Sequence, residues 1–252
     1  MWVYGKHAVL SILSNPKRKI INAFITLQNN KHIKKTIYHF SKIKIVSTNY
    51  IKNITIYHSV KNQGFVLETS PLNQPSLKDI INNNSNSVII ILDQISDPQN
   101  IGAIIRTSVA FKVNAIIATK KNTPSENFHI INSSAGTFEM IPYIQVSNIN
   151  NTIILFKKNK YWVFALSQNT KNNINITINK YNKKILILGS EGKGIRKNIT
   201  KKCDMLLKIP ISEIVESLNV TNALAISLYL INQSSYKDKS FNSIITFNKN
   251  II

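Results

Sequence analysis

The chain has 252 residues, room for one or two domains, and 43% of them are hydrophobic. Its longest apolar runs reach five or six residues, far short of the ~20 needed to span a bilayer, and one cysteine, Cys203, excludes an intramolecular disulfide framework. With 32 Lys and Arg against 11 Asp and Glu, the net charge of +21 favours a polyanionic partner.

The opening residues, Met1 to His7, carry neither the charged n-region nor the apolar h-region of a secretory signal, so a cytoplasmic location is expected. The histidines, His7, His32, His39, His58 and His129, form no pair at helical metal-ligand spacing beside carboxylates, and no metal is expected. Residues 6–14 read as a helix, Ile20 to Leu27 as a strand, and Asn30 to Ser41 as a helix on the strength of Ile33, Ile37, Tyr38 and Phe40. Ile43 to Ser47 and Gln63 to Thr69 read as extended. This amounts to a small α/β unit over residues 1–70. It holds 11 Lys and Arg and a single acid, Glu68, whereas residues 71–235 hold 18 and nine. Codon bias towards Asn, Ile and Lys raises the total charge, but a uniform bias does not empty one segment of acids. The first unit is therefore read as facing nucleic acid.

Residues 71–87 begin with Pro71-Leu-Asn-Gln-Pro75 and end in the polar run Asn82-Asn-Asn-Ser-Asn-Ser87, which reads as a linker. From residue 88 the chain alternates apolar runs (88–92, 113–118, 161–166, 185–189 and 205–209) with helical segments. That alternation predicts an α/β fold with a mostly parallel sheet covered on both faces, and ligands beyond the carboxyl ends of its strands. A second domain is expected over residues 88–235, followed by a tail at 236–252.

Three loops are more polar than a connection requires. "SDPQNIGAIIRT" opens a helix with Asn100 and, six residues on, Arg106; "GSEGKG" follows the run ending at Leu188; and "IPISEIVESLNV" precedes a helix. Each has a plain structural reading: Asn100 as a helix cap, Gly189, Gly192 and Gly194 as a tight turn, and Ser217 and Asn219 as the polar entry to a helix. The spacing G-x-x-G-x-G is neither the dinucleotide fingerprint nor the P-loop. Convergence of all three on one ligand is the functional reading.

"LDQISDPQNIGAIIRT", "LILGSEGKGI" and "IPISEIVESLNVTNALAISLYL", in that order, resemble the three motifs of the SpoU (TrmH-type) RNA ribose 2′-O-methyltransferases of the SPOUT superfamily. "VYGKHAVLSIL" and "NQGFVL" resemble the small substrate-binding domain of the bacterial large-subunit rRNA guanosine methyltransferase (RlmB-like) branch. The resemblance implies a parallel sheet with a C-terminal trefoil knot, S-adenosylmethionine as cofactor, RNA as substrate, rRNA before tRNA, and a homodimer. By motif position it places Gly189, Ile209 and Leu218 on the methyl donor. It places Asn100, Arg106, Glu191, Ser217 and Asn219 in the catalytic and substrate-binding set.

A guanidinium stays protonated in ordinary protein surroundings, so Arg106 is read as holding phosphate and ribose and stabilising the developing alkoxide rather than as a base. Asn100 and Asn219 are read as orienting groups, and Glu191, at the start of an expected helix, as fixing its loop or touching substrate. The chain departs from the family pattern at Ser212-Glu213, where Ala-Gly is usual, at Thr137 and Phe138, where small residues are usual, and at Asn62-Gln-Gly, where His-Gln-Gly is usual. None of these removes a proposed catalytic residue. They bear on which RNA is the substrate.

Overall fold

The computed structural model describes residues 1–33, 37–55, 62–82, 86–174, 178 and 180–237. Residues 1–70 build a four-stranded sheet from β1 (Trp2–Tyr4), β2 (Ile20–Thr26), β3 (Ile43–Val46) and β4 (Phe65–Thr69), in the order β1-β4-β2-β3. The β1/β4 and β2/β4 pairs are antiparallel and β2/β3 is parallel. Helix α1 (Lys6–Ser14) buries Ala8, Val9, Ile12 and Leu13, a stripe at helical spacing, and α2 (Thr48–Thr55) buries Ile51. The helix expected over residues 30–41 is absent from its described part. A 3-10 turn covers Leu27–His32, Ile33 is extended, and a second turn covers Phe40–Lys42. Tyr38 and Phe40 stay exposed, so the segment has no continuous apolar face to make helix formation worth its nucleation cost.

The second sheet has six strands, all parallel: β5 (Ser87–Asp93), β6 (Ala115–Thr119), β7 (Tyr143–Val146), β8 (Trp162–Leu166), β9 (Lys183–Gly189) and β10 (Met205–Leu207), ordered β10-β8-β9-β5-β6-β7. Successive residues of β5 go to opposite faces. Ile90 and Leu92 join the core under α4 (Pro98–Ala110), α5 (Phe128–Ser133) and α8 (Val220–Lys237). Ile89 and Ile91 join the core under α3 (Leu77–Asn82), α6 (Ile149–Lys158) and α7 (Lys197–Thr200). Burial on both faces explains why these strands appear in sequence as unbroken apolar runs. No helix of the described residues is long and apolar enough to cross a membrane.

Between residues 71 and 82 the chain is anchored. Ile80 and Ile81 of α3 are buried, Leu72 N donates to Glu126 at 2.8 Å, and Tyr143 N donates to the Gln74 amide oxygen at 3.0 Å. The two sheets share one core, in which Ala8, Ile12 and Leu13 of α1 belong to the same cluster as Ile130, Ile131 and Phe138. Across that seam Ser11 Oγ donates to Gly136 O at 2.6 Å. Arg18, with no exposed side-chain surface, ion-pairs with both Glu126 and Glu139 at 2.6 Å.

Cys203 follows α7, with Sγ 3.4 Å from Ile199 O. Burial, opposed by Lys157 and reinforced by Asp204, pushes its thiol up to about 12. Because the thiolate is the reactive form, alkylation by iodoacetamide at pH 8 is expected to be at least tenfold slower in the native protein than after unfolding in urea. Equal rates would show the thiol to be accessible and ordinary.

Candidate active site

In the six-stranded sheet the chain steps outward from β5 through β6 to β7, then returns on the other side of β5 through β8 and β9. The direction reverses between β5 and β9, and at such a switch point the loops leaving the carboxyl ends of neighbouring strands diverge and leave a crevice. The loop after β5 is the first polar motif, and the loop after β9 is the second. The third, residues 208–219, runs from β10 to α8.

Each loop has a local reason for its shape. Asp97 caps α4, its carboxylate accepting from Gln99 N at 2.9 Å, with Pro98 in the first turn. Asn100 is therefore not the cap, and its amide is left for other work. In the second loop Gly192 and Gly194 take φ of 79° and 64°, a left-handed pair that no helix accommodates. The helix expected at Glu191 accordingly starts only at Lys197. Gly189 is required by packing, since a Cβ there would collide with the backbone of Gly194 and Ile195 as the loop folds back on its strand. In the third, Asn219 Oδ1 accepts from Thr221 N at 2.8 Å, so the plain capping reading holds for Asn219 alongside any other role.

The three loops meet at Glu191. Asn100 Nδ2 donates to Glu191 Oε1 at 3.1 Å, and Asn219 Nδ2 donates to the same oxygen at 2.9 Å and lies 3.4 Å from Asn100 Oδ1. Residues 91 and 28 positions apart in the chain are thus joined by one carboxylate oxygen. Beside them lies a cleft of about 420 Å³ whose walls include Gly189, Glu191, Ile209, Ser217 and Leu218. Arg106 is set apart. It is exposed on α4, six residues and ~9 Å of helix rise beyond Asn100.

One supporting pair was not anticipated from sequence. Asp93, fully buried at the end of β5, takes Arg196 through its backbone N at 3.0 Å, Nε at 2.9 Å and Nη2 at 2.7 Å. Asp93 also sits opposite Gly189 in the strand register. The pair fastens the glycine loop across the crevice. A lone acid ending an otherwise apolar strand, and an arginine two residues after the last glycine, were the available signals.

The cleft suits S-adenosylmethionine in kind. Apolar Leu188, Ile209 and Leu218 can cover a purine, glycine backbone is open to polar edges, and Glu191, Glu216, Lys193 and Lys208 in the wall offer both signs of charge to a ligand that carries an amino group, a carboxylate and a sulfonium. The volume is within the usual ~300–1,000 Å³ range for small-molecule sites.

Comparison with known proteins agrees with this arrangement. Residues 87–229 match the model of the SpoU rRNA Methylase family, and residues 2–75 match that of the RNA 2′-O ribose methyltransferase substrate binding domain. A Borreliella burgdorferi protein named as an uncharacterized tRNA/rRNA methyltransferase is 32% identical over 86% of this chain and 93% of its own. The Coxiella burnetii 23S rRNA (guanosine-2′-O-)-methyltransferase RlmB is 30% identical over 90% and 93%. Among solved structures, the Streptomyces viridochromogenes SpoU methyltransferase AviRb in complex with AdoMet superposes with a TM-score of 0.78 at 16% identity, covering 94% of this chain and 90% of that one. An AdoMet-bound rRNA methyltransferase from Sinorhizobium meliloti gives 0.77 at 22%, covering 92% and 87%. The two structures share the fold, and the family-model matches spanning both sheets, together with the Borreliella and Coxiella relatives, place the chain in the SpoU rRNA methylase family.

Proposed function

We propose that this protein transfers a methyl group from S-adenosylmethionine to a ribose 2′-hydroxyl of RNA, at a guanosine of 23S rRNA. The observation that carries the reading is the junction of three loops at Glu191 beside the cleft of Gly189, Ile209 and Leu218. Naming of the Coxiella relative as a 23S rRNA guanosine methyltransferase supports rRNA over tRNA. The protein acts in the cytoplasm, on the same reading.

When bound, the donor supplies an electrophilic methyl group. The chain's own residues supply position, which governs much of the rate of a simple displacement. Gly189, Ile209, Ser217 and Leu218 line the cleft that holds the donor. Asn100 and Asn219, fixed against Glu191, orient the ribose. Arg106 grips phosphate and steadies negative charge as it grows on the attacking oxygen. Of the five polar residues, Glu191 alone carries a carboxylate, the one base-type group among them, since guanidinium, amide and hydroxyl groups do not act as bases. The ribose proton passes to it.

The same reading includes a homodimer and a knot. Ile226 and Tyr229 stand 38% and 54% exposed on α8, a surface that suits a second copy. Residues 167–174 clasp the end of β10, through Ser167 N to Leu207 O at 2.9 Å, Lys208 N to Asn172 O at 2.8 Å and Ile174 N to Lys208 O at 2.7 Å, before the chain turns back to α8.

Titration calorimetry with S-adenosylmethionine, without metal, is expected to show binding and a rise in Tm by mass action. Mapping of ribose methylation in rRNA and tRNA, with and without the gene, should then show one lost 23S site. Loss at a tRNA position instead would reassign the substrate. Absence of donor binding at millimolar concentration, with RNA present, would leave a non-catalytic RNA-binding protein.

A further inference from the structure

Trp162 and Tyr181 stack with ring centroids 4.0 Å apart and planes 29° from parallel, yet Trp162 is 40% exposed. Trp162 begins β8 and lies opposite Lys184 near the start of β9. The stack therefore stands at the amino ends of the parallel strands. Gly189 is at the other end of β9, five residues beyond Lys184 and ~17 Å away at about 3.3 Å per residue. None of the three motif loops reaches this surface.

Around the rings is a hollow of about 320 Å³ lined by Lys160, Trp162, Lys180, Tyr181, Asn182 and Lys183. Every charged group in that lining is a lysine, and none of the three pairs with a carboxylate among the described residues. The neighbouring acid, Asp204, is already occupied by Lys157 Nζ at 2.7 Å and Val163 N at 2.8 Å. The rims of the hollow are set. Lys160 sits in a left-handed turn at φ 65°, and Asn182 O accepts from Ser87 N at 2.9 Å. Lys183 Nζ lies 5.3 Å from the Tyr161 ring centroid, which holds one ammonium at the edge.

An exposed aromatic face offers a surface for a base, and unpaired ammonium groups beside it offer partners for phosphates. That combination distinguishes single-stranded nucleic acid from an acidic peptide, which would use the lysines and not the rings. We propose that the Trp162–Tyr181 stack with Lys160, Lys180 and Lys183 is a second RNA-binding site, taking a single-stranded segment of the substrate RNA at the end of the sheet remote from the methyl-donor cleft. The choice of polymer rests on the RNA methyltransferase reading.

In full-length protein carrying Trp2→Phe, Trp162 is the sole tryptophan, and its emission reports on the site. Titration with a nine-nucleotide oligouridylate is expected to quench that emission saturably. Combined Lys160→Gln, Lys180→Gln and Lys183→Gln should weaken binding at least tenfold and reduce the salt slope by about two, at ~0.7 per phosphate on a single strand. Trp162→Leu, read by anisotropy of labelled RNA, should cost about tenfold. Both variants should raise KM for a long rRNA fragment while kcat and donor affinity stay unchanged. Absence of quenching, an unchanged salt slope in the triple variant, or parallel loss of donor affinity would each overturn the proposal. So would quenching by oligoglutamate equal to that by RNA, which would assign the patch to an acidic protein. If the parent protein methylates no RNA but the quench persists, the catalytic reading fails and this site stands.

Discussion

Arg106→Ala is expected to lower kcat by about 10²–10³-fold, the usual cost of removing a group that stabilises developing oxyanion charge, while donor affinity stays within about threefold. The second half of that statement follows from placement. Arg106 is exposed on α4 and is not among the residues lining the donor cleft. Arg106→Lys should recover little of the rate, because a single ammonium cannot reproduce the planar fork that engages two acceptors at once. A substrate RNA whose target nucleotide is 2′-deoxy should bind normally and yield no product, as its phosphates remain and the attacking oxygen is gone. Single-turnover assays with labelled donor, paired with calorimetry on the same variants, separate the two effects. Near-normal turnover by Arg106→Ala would remove Arg106 from the chemistry, and methylation of the deoxy RNA would move the acceptor from ribose to base.

The parts of the molecule that were legible in sequence are those where one physical requirement dominates a stretch of residues. Parallel strands covered on both faces must be apolar throughout, so β5, β6, β8 and β9 announced themselves. Loops at their carboxyl ends carried more polar groups than a turn needs, so the motifs stood out before any contact was known. The strands β1 and β7, at three and four residues, went unread, although β3 and β10, which are no longer, were marked by their apolar runs. Residues 30–41 misled because scattered apolar residues imitate a helical face, although Tyr38 and Phe40 are spent on the surface. Glu191 was placed on a helix because nothing in one-dimensional spacing says that Gly192 and Gly194 both turn left-handed. The fastening of Asp93 to Arg196 joins residues 103 positions apart, so the local signal that each leaves in sequence does not say that they pair.

The shared core changes how the charge of the first 70 residues is best tested. Deleting them would strip α1 from Ile130, Ile131 and Phe138 and expose the cluster they form. Any loss of RNA binding would then be confounded with misfolding. Substitution of individual surface lysines, such as Lys31 or Lys42, isolates the electrostatic contribution, each one removing about one phosphate contact from the salt dependence.

The seam itself makes the strongest stability claim. Arg18 has no exposed side-chain surface and is bound by Glu126 on one side and Glu139 on the other, both at 2.6 Å, while Nη1 also donates to Ser70 O at 3.0 Å. Asn15 Nδ2 reaches Glu139 Oε2 at 2.7 Å and Leu72 N reaches Glu126 Oε2 at 2.8 Å, so the carboxylates are held from both sheets. Removing the arginine leaves two buried carboxylates facing each other without their cation. Arg18→Met is therefore expected to destabilise by about 3–5 kcal/mol, the range for breaking a buried pair from one side. In a chain of this length that lowers Tm by about 6–20 °C. Converting Glu126 and Glu139 to Gln in the same molecule should restore much of the loss, because the penalty lies mainly in the stranded charges and only partly in the missing bonds. Thermal unfolding of the single and triple variants decides the matter. A change below about 1 kcal/mol for Arg18→Met, or no recovery in the triple variant, would mean that apolar packing alone holds the first sheet against the methyltransferase sheet and that the ion pairs are incidental to it.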